Sequence, residues 1–238
     1  MPPTAIEIPT PDGPLPGEWF PAVSPGRVCF VFAHGAGAGH RSPFMRRHAA
    51  LAAERGVPVL TFDFPYLARG RKAPDRPPVL LAAFRAAVDA AIAAGDAALS
   101  GVVVGGKSMG GRMATHLAAE PDAWTAAVPL LGAVAYGYPL RPPGGGGSDR
   151  VSHLARLAAP VLVVQGTRDP FGGPDDVRRA AAEAGTSRLT VRDVPTGDHS
   201  LKVLASAGTR QPAAEAAIAD DVAAWIGALV PAAVPPAD

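Results

Sequence analysis

Residues Val102–Ala114, VVVGGKSMGGRMA, decide how the chain is read. The three valines predict a short strand covered on both faces, and Arg112–Glu120 is compatible with a helix, so the glycine-rich corner between them turns strand directly into helix. Within it, Gly106-Lys107-Ser108-Met109-Gly110 fits G-x-S-x-G, the spacing at which a serine occupies a strained strand-to-helix turn. Side chains two residues to either side would collide with the neighbouring strand and helix, which is why glycines belong there. The turn lifts the Ser108 hydroxyl above the sheet edge at a helix N-terminus, where unpaired N–H groups and the helix dipole favour developing negative charge. In a chain with 27 glycines the pentapeptide also describes a plain tight turn, so its meaning depends on what the other strand ends supply.

The same residues match a second pattern: Gly101 to Ser108 reads G-x-x-x-x-G-K-S, the form of a phosphate-binding loop. Such a loop needs flexible residues between its glycines, whereas Val102-Val103-Val104 is a strand run. The only magnesium-binding partner at a strand end would be Asp63. Local structure disfavours the nucleotide reading.

Composition narrows the classes. The chain has 238 residues, enough for one α/β domain with a full core, expected to run 1–238. A net charge of +1 with 18% charged residues argues against a nucleic-acid surface. No run looks apolar for long enough to cross a bilayer, and the first residues, MPPTAIEIPTPDG, show no basic-plus-apolar signal pattern. The single cysteine, Cys29, excludes an internal disulfide and lies in a strand-like run as an inert buried thiol. A cytoplasmic location is the expectation.

Working outward from the elbow, strands and helices alternate. Thr4–Ala22 reads as an N-terminal edge hairpin around Pro9-Thr10-Pro11-Asp12-Gly13. Strands are expected at Arg27–Ala33, in VLTFDF after Pro58, at Ala126–Gly132, in VLVVQ after Pro160 and at Arg188–Val194. Helices are expected from about Ser42 to Arg55, Pro78 to Ala94, Asp175 to Ala184 and Ala213 to Leu229, with a short one near Val151–Leu157. Residues 133–150 read as a short Gly/Pro-rich insertion, its Gly144–Gly147 run flexible. This alternation implies a mostly parallel sheet with helices on both faces and functional residues beyond the carboxyl ends of the strands.

Three other strand ends carry candidate chemistry. His34-Gly35-Ala36-Gly37 follows one apolar strand, where a glycine-rich turn can supply a second oxyanion N–H beside that of Met109. Gln165-Gly166-Thr167-Arg168-Asp169 follows another and offers Asp169 as an acid, although a turn or helix-cap aspartate is the plainer alternative. Thr196-Gly197-Asp198-His199 follows the last strand, with His199 as general base and Asp198 a rival acid by adjacency. The order Ser108, Asp169, His199 at successive strand ends fits covalent acyl transfer: His199 deprotonates Ser108, Asp169 orients the imidazole, and the N–H groups of Met109 and Ala36 hold the oxyanion. His34 reads as structural, and His40, His48, His116 and His153 show neither a partner nor a metal-ligand spacing.

These pieces carry a family resemblance. With FAHGAGAG (Phe32–Gly39), FDFPY (Phe62–Tyr66), GRKAP (Gly70–Pro74), GGKSMGGRMA (Gly105–Ala114), GYPLRPPG (Gly137–Gly144), GTRDPFG (Gly166–Gly172) and GDHSLK (Gly197–Lys202), the chain resembles small α/β-hydrolases of the dienelactone-hydrolase-like kind. More narrowly, it is similar to the family of testis-expressed and NSL-complex-subunit hydrolase-like proteins. The resemblance implies the α/β-hydrolase fold, a Ser108-Asp169-His199 triad and no cofactor, while the segment Ala133–Arg150 is too short for a large cap and the histidine spacings point to no metal. It departs from dienelactone hydrolases proper, which usually carry a cysteine where Ser108 stands, and it supplies no substrate.

The resulting expectation is a serine hydrolase cleaving a small ester or thioester, with no nucleic-acid or membrane partner. Tyr66, Tyr138 and Arg71 are the expected substrate contacts, and Tyr136 and Leu140 further possible wall residues. The basic loop of Arg69, Arg71 and Lys72 could receive an anionic group, though a solvated surface is the more ordinary role for such a loop. The alternative function is a non-catalytic protein-interaction module on the same fold, a choice that fold alone does not decide.

Overall fold

The fold was obtained as a computed structural model that describes residues 1–24, 26–95, 99–141 and 150–230. Among these, eight strands form one sheet in the order β1-β2-β4-β3-β5-β6-β7-β8. They are β1 (Thr4–Ile8), β2 (Leu15–Phe20), β3 (Val28–Ala33), β4 (Val59–Phe62), β5 (Gly101–Lys107), β6 (Leu130–Tyr136), β7 (Val161–Gly166) and β8 (Leu189–Val194). From β4 to β8 every pairing is parallel, while the β1–β2 hairpin joins antiparallel through β2 against β4. The expected hairpin therefore sits at the sheet edge with β1 as its outer strand, and β2 is an interior one.

Among the described residues there are six α-helices: α1 (Pro43–Ala53), α2 (Pro65–Ala68), α3 (Pro77–Ala94), α4 (Met109–Ala118), α5 (Pro174–Glu183) and α6 (Gln211–Ala228). Four of them open on proline, whose missing N–H costs nothing in a first turn and whose φ is preset for it. Alternation along the central strands divides the core in two. Val31, Val102, Val104 and Ala135 face α3, α4 and α5 through Phe84, Ala87, Met113, Leu117 and Val177. Phe30, Phe32, Val103, Val134 and Val164 face α1 and α6 through Met45, Ala49, Ile218, Val222 and Ile226.

Two expectations are corrected by the fold. The strand placed at Ala126–Gly132 runs instead from Leu130 to Tyr136. Pro129 has no N–H to give the ladder, so it stands just before the strand, its carbonyl accepting from Val102 N–H at 3.0 Å. Residues 133–136 are thus buried sheet rather than the start of an insertion; Gly144–Gly147 lies outside the described residues. The second correction concerns length: α3 has 18 residues with a mean hydropathy of 1.5, long and apolar enough by those measures to cross a membrane. Here Leu80, Phe84, Ala87, Val88 and Ala91 are buried against the sheet.

Gly101–Lys107 being a strand in register with β3, Val28 opposite Gly101 through Ala33 opposite Gly106, leaves no loop there to cradle phosphates. The glycine-lysine-serine match is an accident of a strand that ends in a serine turn. Cys29 is fully buried in β3, and burial pushes its thiol pKa up to about 12, so it stays an unreactive apolar side chain.

His48 of α1 is buried between the rings of Phe44 and Tyr136, at centroid distances of 4.3 and 5.2 Å, and its Nδ1 has no partner. Burial pushes its pKa down to about 4, and His34 is lowered in the same way. The unfolded chain takes up the His48 proton near 6.5, so it binds more protons than the native state between those values. Stability therefore falls as pH drops from about 6.5 towards 4, by roughly 3 kcal/mol from His48. His48→Leu should flatten this acid limb in urea titrations between pH 7 and 4.5. An unchanged pH slope would contradict the assignment.

Candidate active site

The carboxyl ends of β3, β5, β7 and β8 converge on Ser108. This residue has φ 51° and ψ −111°, a backbone conformation that non-glycine residues rarely adopt, and it stands between β5 and α4. The neighbouring glycines are required by close approach. A Cβ at Gly106 would lie 2.4 Å from the Gly110 carbonyl carbon, and one at Gly110 would lie 2.4 Å from the Ala33 oxygen. Both obstacles are backbone, which cannot move aside without moving β3 or α4.

His199 closes on this serine from the loop after β8. Its Nε2 is 3.0 Å from Ser108 Oγ, and its Nδ1 is 2.7 Å from Asp169 Oδ2. An ionised carboxylate only accepts, so Nδ1 carries the proton and Nε2 is left to accept from the serine hydroxyl. Asp169, its side chain fully buried, lies in the turn after β7. Its Oδ1 accepts from Phe171 N–H at 2.8 Å, and its Oδ2 also accepts from Gln165 Nε2 at 3.0 Å. The Phe171 ring meets the imidazole edge-on at 4.6 Å. The rival acid, Asp198, instead accepts from Ser200 and Lys202 N–H groups through Oδ1 and so shapes its own loop.

Two supports escaped the sequence reading. Gln165, fully buried at the end of β7, accepts from Tyr138 N–H at 2.7 Å and donates to Gly172 O at 2.6 Å as well as to Asp169. It fixes the acid in place. Lys107, the residue before the serine, is buried and donates from Nζ to the carbonyl oxygen of His199. Its ammonium lies 5.7 Å from the centre of the Phe44 ring, and burial pushes its pKa down to about 8 although Asp169 and Asp198 pull it up.

The loop after β3 closes the other side. His34 Nε2 accepts from Phe64 N–H at 3.0 Å, so its Nδ1 carries the proton and donates to Gly35 O at 2.8 Å. Asp63 Oδ1 accepts from His40 N–H at 2.7 Å and lies 2.9 Å from His40 Nδ1. These bonds hold the loop so that Gly35 lies against Lys107 and Ser108, where a Cβ would come within 3.3 Å of Lys107 O. Ala36 follows, facing the same cavity as Ser108 and Met109. Met109 is the first residue of α4, so its N–H has no partner within the helix.

That cavity holds about 260 Å³ and is walled by Pro74, Leu80, Met113, Pro139 and Phe171, with Asp75, Arg112 and Arg150 as its charged members. A larger hollow of about 430 Å³, between Phe20 and Arg47, contains no nucleophile and base together. The three expected substrate contacts sit elsewhere than the cavity wall. Tyr66 is fully buried with its ring edge against His34, and Tyr138 is buried with its hydroxyl donating to Arg150 O at 2.6 Å. Arg71 pairs with Asp75 at 2.6 Å, and Arg69 lies 3.5 Å from Asp12. Of the further wall candidates, Tyr136 belongs to the core beneath α1, and Leu140 packs on the opposite one. His116 and His153, distant in sequence, stack at 3.8 Å, with His153 Nε2 2.9 Å from Thr115 Oγ1.

The model of a family described as an alpha/beta hydrolase domain matches residues 26–227. The chain belongs to this α/β-hydrolase family. Solved structures similar to this α/β-hydrolase include a dienelactone hydrolase from Anabaena variabilis, 22% identical over 95% of this chain and 97% of that one, with a TM-score of 0.68. A lidless α/β serine hydrolase from Xanthomonas campestris is 18% identical over 98% and 97%, with a TM-score of 0.71. An esterase from Pyrococcus furiosus is 16% identical over 96% and 90%, also at 0.71. No curated protein sequence matches. At such identities the likeness speaks for the fold. In keeping with it, the described residues between β6 and β7 of this α/β-hydrolase include no helix longer than the single 3₁₀ turn Ser152–Arg156, so no large cap covers Ser108.

Proposed function

We propose that the protein is a serine hydrolase of small esters or thioesters working through a covalent acyl-enzyme. The observation that carries this reading is the unbroken hydrogen-bonded chain from Ser108 Oγ through His199 to Asp169 Oδ2, at 3.0 and 2.7 Å. His199 Nε2 takes the hydroxyl proton as Oγ bonds to the carbonyl carbon. The carbonyl oxygen becomes an oxyanion held by the N–H groups of Met109 and Ala36, each donor of this kind being worth about 3 kcal/mol. Asp169 stabilises the imidazolium, which then protonates the departing alcohol or thiol as its bond to the acyl carbon breaks. Water enters, gives its proton to His199, and releases the acid and free Ser108. A cavity of about 260 Å³ fits a short acyl group.

Rapid mixing with 4-nitrophenyl acetate tests the acyl-enzyme directly. A burst of nitrophenol equal to the enzyme concentration, with 42 mass units added at Ser108 (the ~42 Da of one acetyl group for a hydrogen), is the expected result. Turnover without any acyl adduct at Ser108 would overturn the covalent route.

In this reading Lys107 is a positioning residue, tethering the backbone of His199 rather than touching substrate. Loss of a charge-assisted hydrogen bond of this kind costs about 1.5–3 kcal/mol, so Lys107→Met should lower kcat by about tenfold or more, with little change in KM. The buried ammonium also costs stability below its native pKa of about 8. Between about 8 and the unfolded value of 10.4 the native state binds fewer protons than the unfolded one, so this cost is relieved as pH rises through that window. The variant should lose this alkaline rise in its urea midpoint. A fall in KM-dependent terms alone, with kcat intact, would contradict the tether.

A further inference from the structure

One charged group in the cavity is left without a partner by the mechanism. Arg112 lies four residues after Ser108 on α4, one helical turn away, and therefore on the same face, about 6 Å along the axis. Its Nε is buried with no acceptor, and no carboxylate lies within ion-pair distance of its guanidinium among the described residues. A buried guanidinium donor without an acceptor is costly, and an oxyanion bound in the cavity would relieve that cost.

Arg150 lines the same cavity. Its Nη1 donates to Pro139 O at 3.3 Å, and both burial and the charge of Arg112 press its pKa down. The one carboxylate among the described lining residues, Asp75, already holds Arg71 through Oδ1 and makes no ion pair with Arg112. The Oδ2 of Asp75 is buried without a donor. The remaining wall is apolar, with Leu80, Met113 and Phe171 available to a hydrocarbon spacer.

We propose that Arg112 is the specificity-determining residue of this cavity, binding an oxyanionic group, carboxylate or phosphate, carried on the substrate a few bonds from the scissile carbonyl. This assignment rests on the serine-hydrolase reading above for the position of that carbonyl. It moves the anion site from the surface loop of Arg69, Arg71 and Lys72 to the helix that carries the nucleophile. The spacing of one helical turn suits a two- to four-carbon chain between carbonyl and anion. Planar, two-pronged donation by arginine suits either oxyanion.

The test compares kcat/KM for the mono-4-nitrophenyl ester of succinic acid, the 4-nitrophenyl ester of 4-phosphooxybutanoic acid and neutral 4-nitrophenyl butyrate, at low and high salt. The native protein should prefer at least one anionic ester by about tenfold or more, and the preferred arm identifies carboxylate or phosphate as the group recognised. In Arg112→Gln and Arg112→Lys that ratio should fall, to near one in the glutamine variant, mainly through KM. Calorimetric binding of the same esters to Ser108→Ala protein, with and without Arg112→Gln, supplies a readout that needs no turnover. Affinity for the anionic ester should drop by about tenfold with the second change. An anionic-to-neutral ratio at or below one in the native protein, or one unmoved by Arg112→Gln, would overturn the anion site while leaving serine catalysis standing. Absence of turnover with every ester would count against the serine-hydrolase reading, and the calorimetry would still decide the fate of Arg112.

Discussion

Ser108→Ala should lower ester hydrolysis by about 10⁴-fold or more, and on the order of 10⁶-fold if the triad acts as one unit. The loss should appear in kcat, because the side chain forms its decisive bond only during reaction. The fold should not suffer. Ser108 Oγ has His199 Nε2 as its partner, and His199 remains anchored by Asp169 through Nδ1 and by Lys107 through its carbonyl. The backbone makes the sharper point: φ of 51° at a residue with a Cβ is strained, a cost of about 1–3 kcal/mol. Ser108→Gly removes both hydroxyl and strain, so it should abolish turnover while raising the urea midpoint above that of Ser108→Ala. Equal stability of the two variants would mean that the elbow stores no strain.

Gly110→Ala should be among the most damaging single methyl groups at the described glycines, with Gly106 and Gly166 similarly crowded by backbone. A Cβ at Gly110 would lie 2.4 Å from Ala33 O, 2.7 Å from Ala33 C and 2.7 Å from His34 O, all backbone atoms at the end of β3. Relief requires α4 to lift from the sheet or the β3 loop to retreat, and either movement separates Ser108 from Ala36. Overpacking a rigid contact costs about 1–3 kcal/mol and more where nothing yields, so about 3 kcal/mol or more is expected, with activity falling further than the folded fraction. Gly227→Ala is the fitting control. That glycine lies in α6 with nothing within 4 Å of an added Cβ, and alanine there should stabilise by about 0.5–1 kcal/mol. Thermal melts of the two variants, read beside esterase activity, separate close approach from general intolerance of a larger side chain.

What could be read directly from the chain was local. The elbow announces itself because its constraint, no Cβ on either side of the serine, is met by residues two positions away. Asp169 and His199 were legible by their order and by their places after apolar runs. Register was less so: LLGAVAY looks no more strand-like than the residues before it, and only the ladder beyond Pro129 shows where β6 begins. Roles that depend on contacts between remote segments left no local signature. The meeting of Lys107 with the His199 carbonyl and the stacking of His116 on His153 are of this kind. So is the hold of Gln165 on Asp169 and Gly172, since a glutamine ending an apolar strand reads only as its polar terminus. Arg112 lies between these cases. Its position four residues after the nucleophile places it on the serine's face of the helix, but that it is unpaired emerges only from the packed structure.

Whether Ser108 is an activated nucleophile is read by a fluorophosphonate probe, which bonds to such a serine. The folded native protein should be labelled on the peptide containing Ser108, with labelling absent in Ser108→Ala and strongly slowed in His199→Ala. A native protein that is folded yet takes up no label would contradict the account and point instead to a hydrolase fold kept for protein interaction.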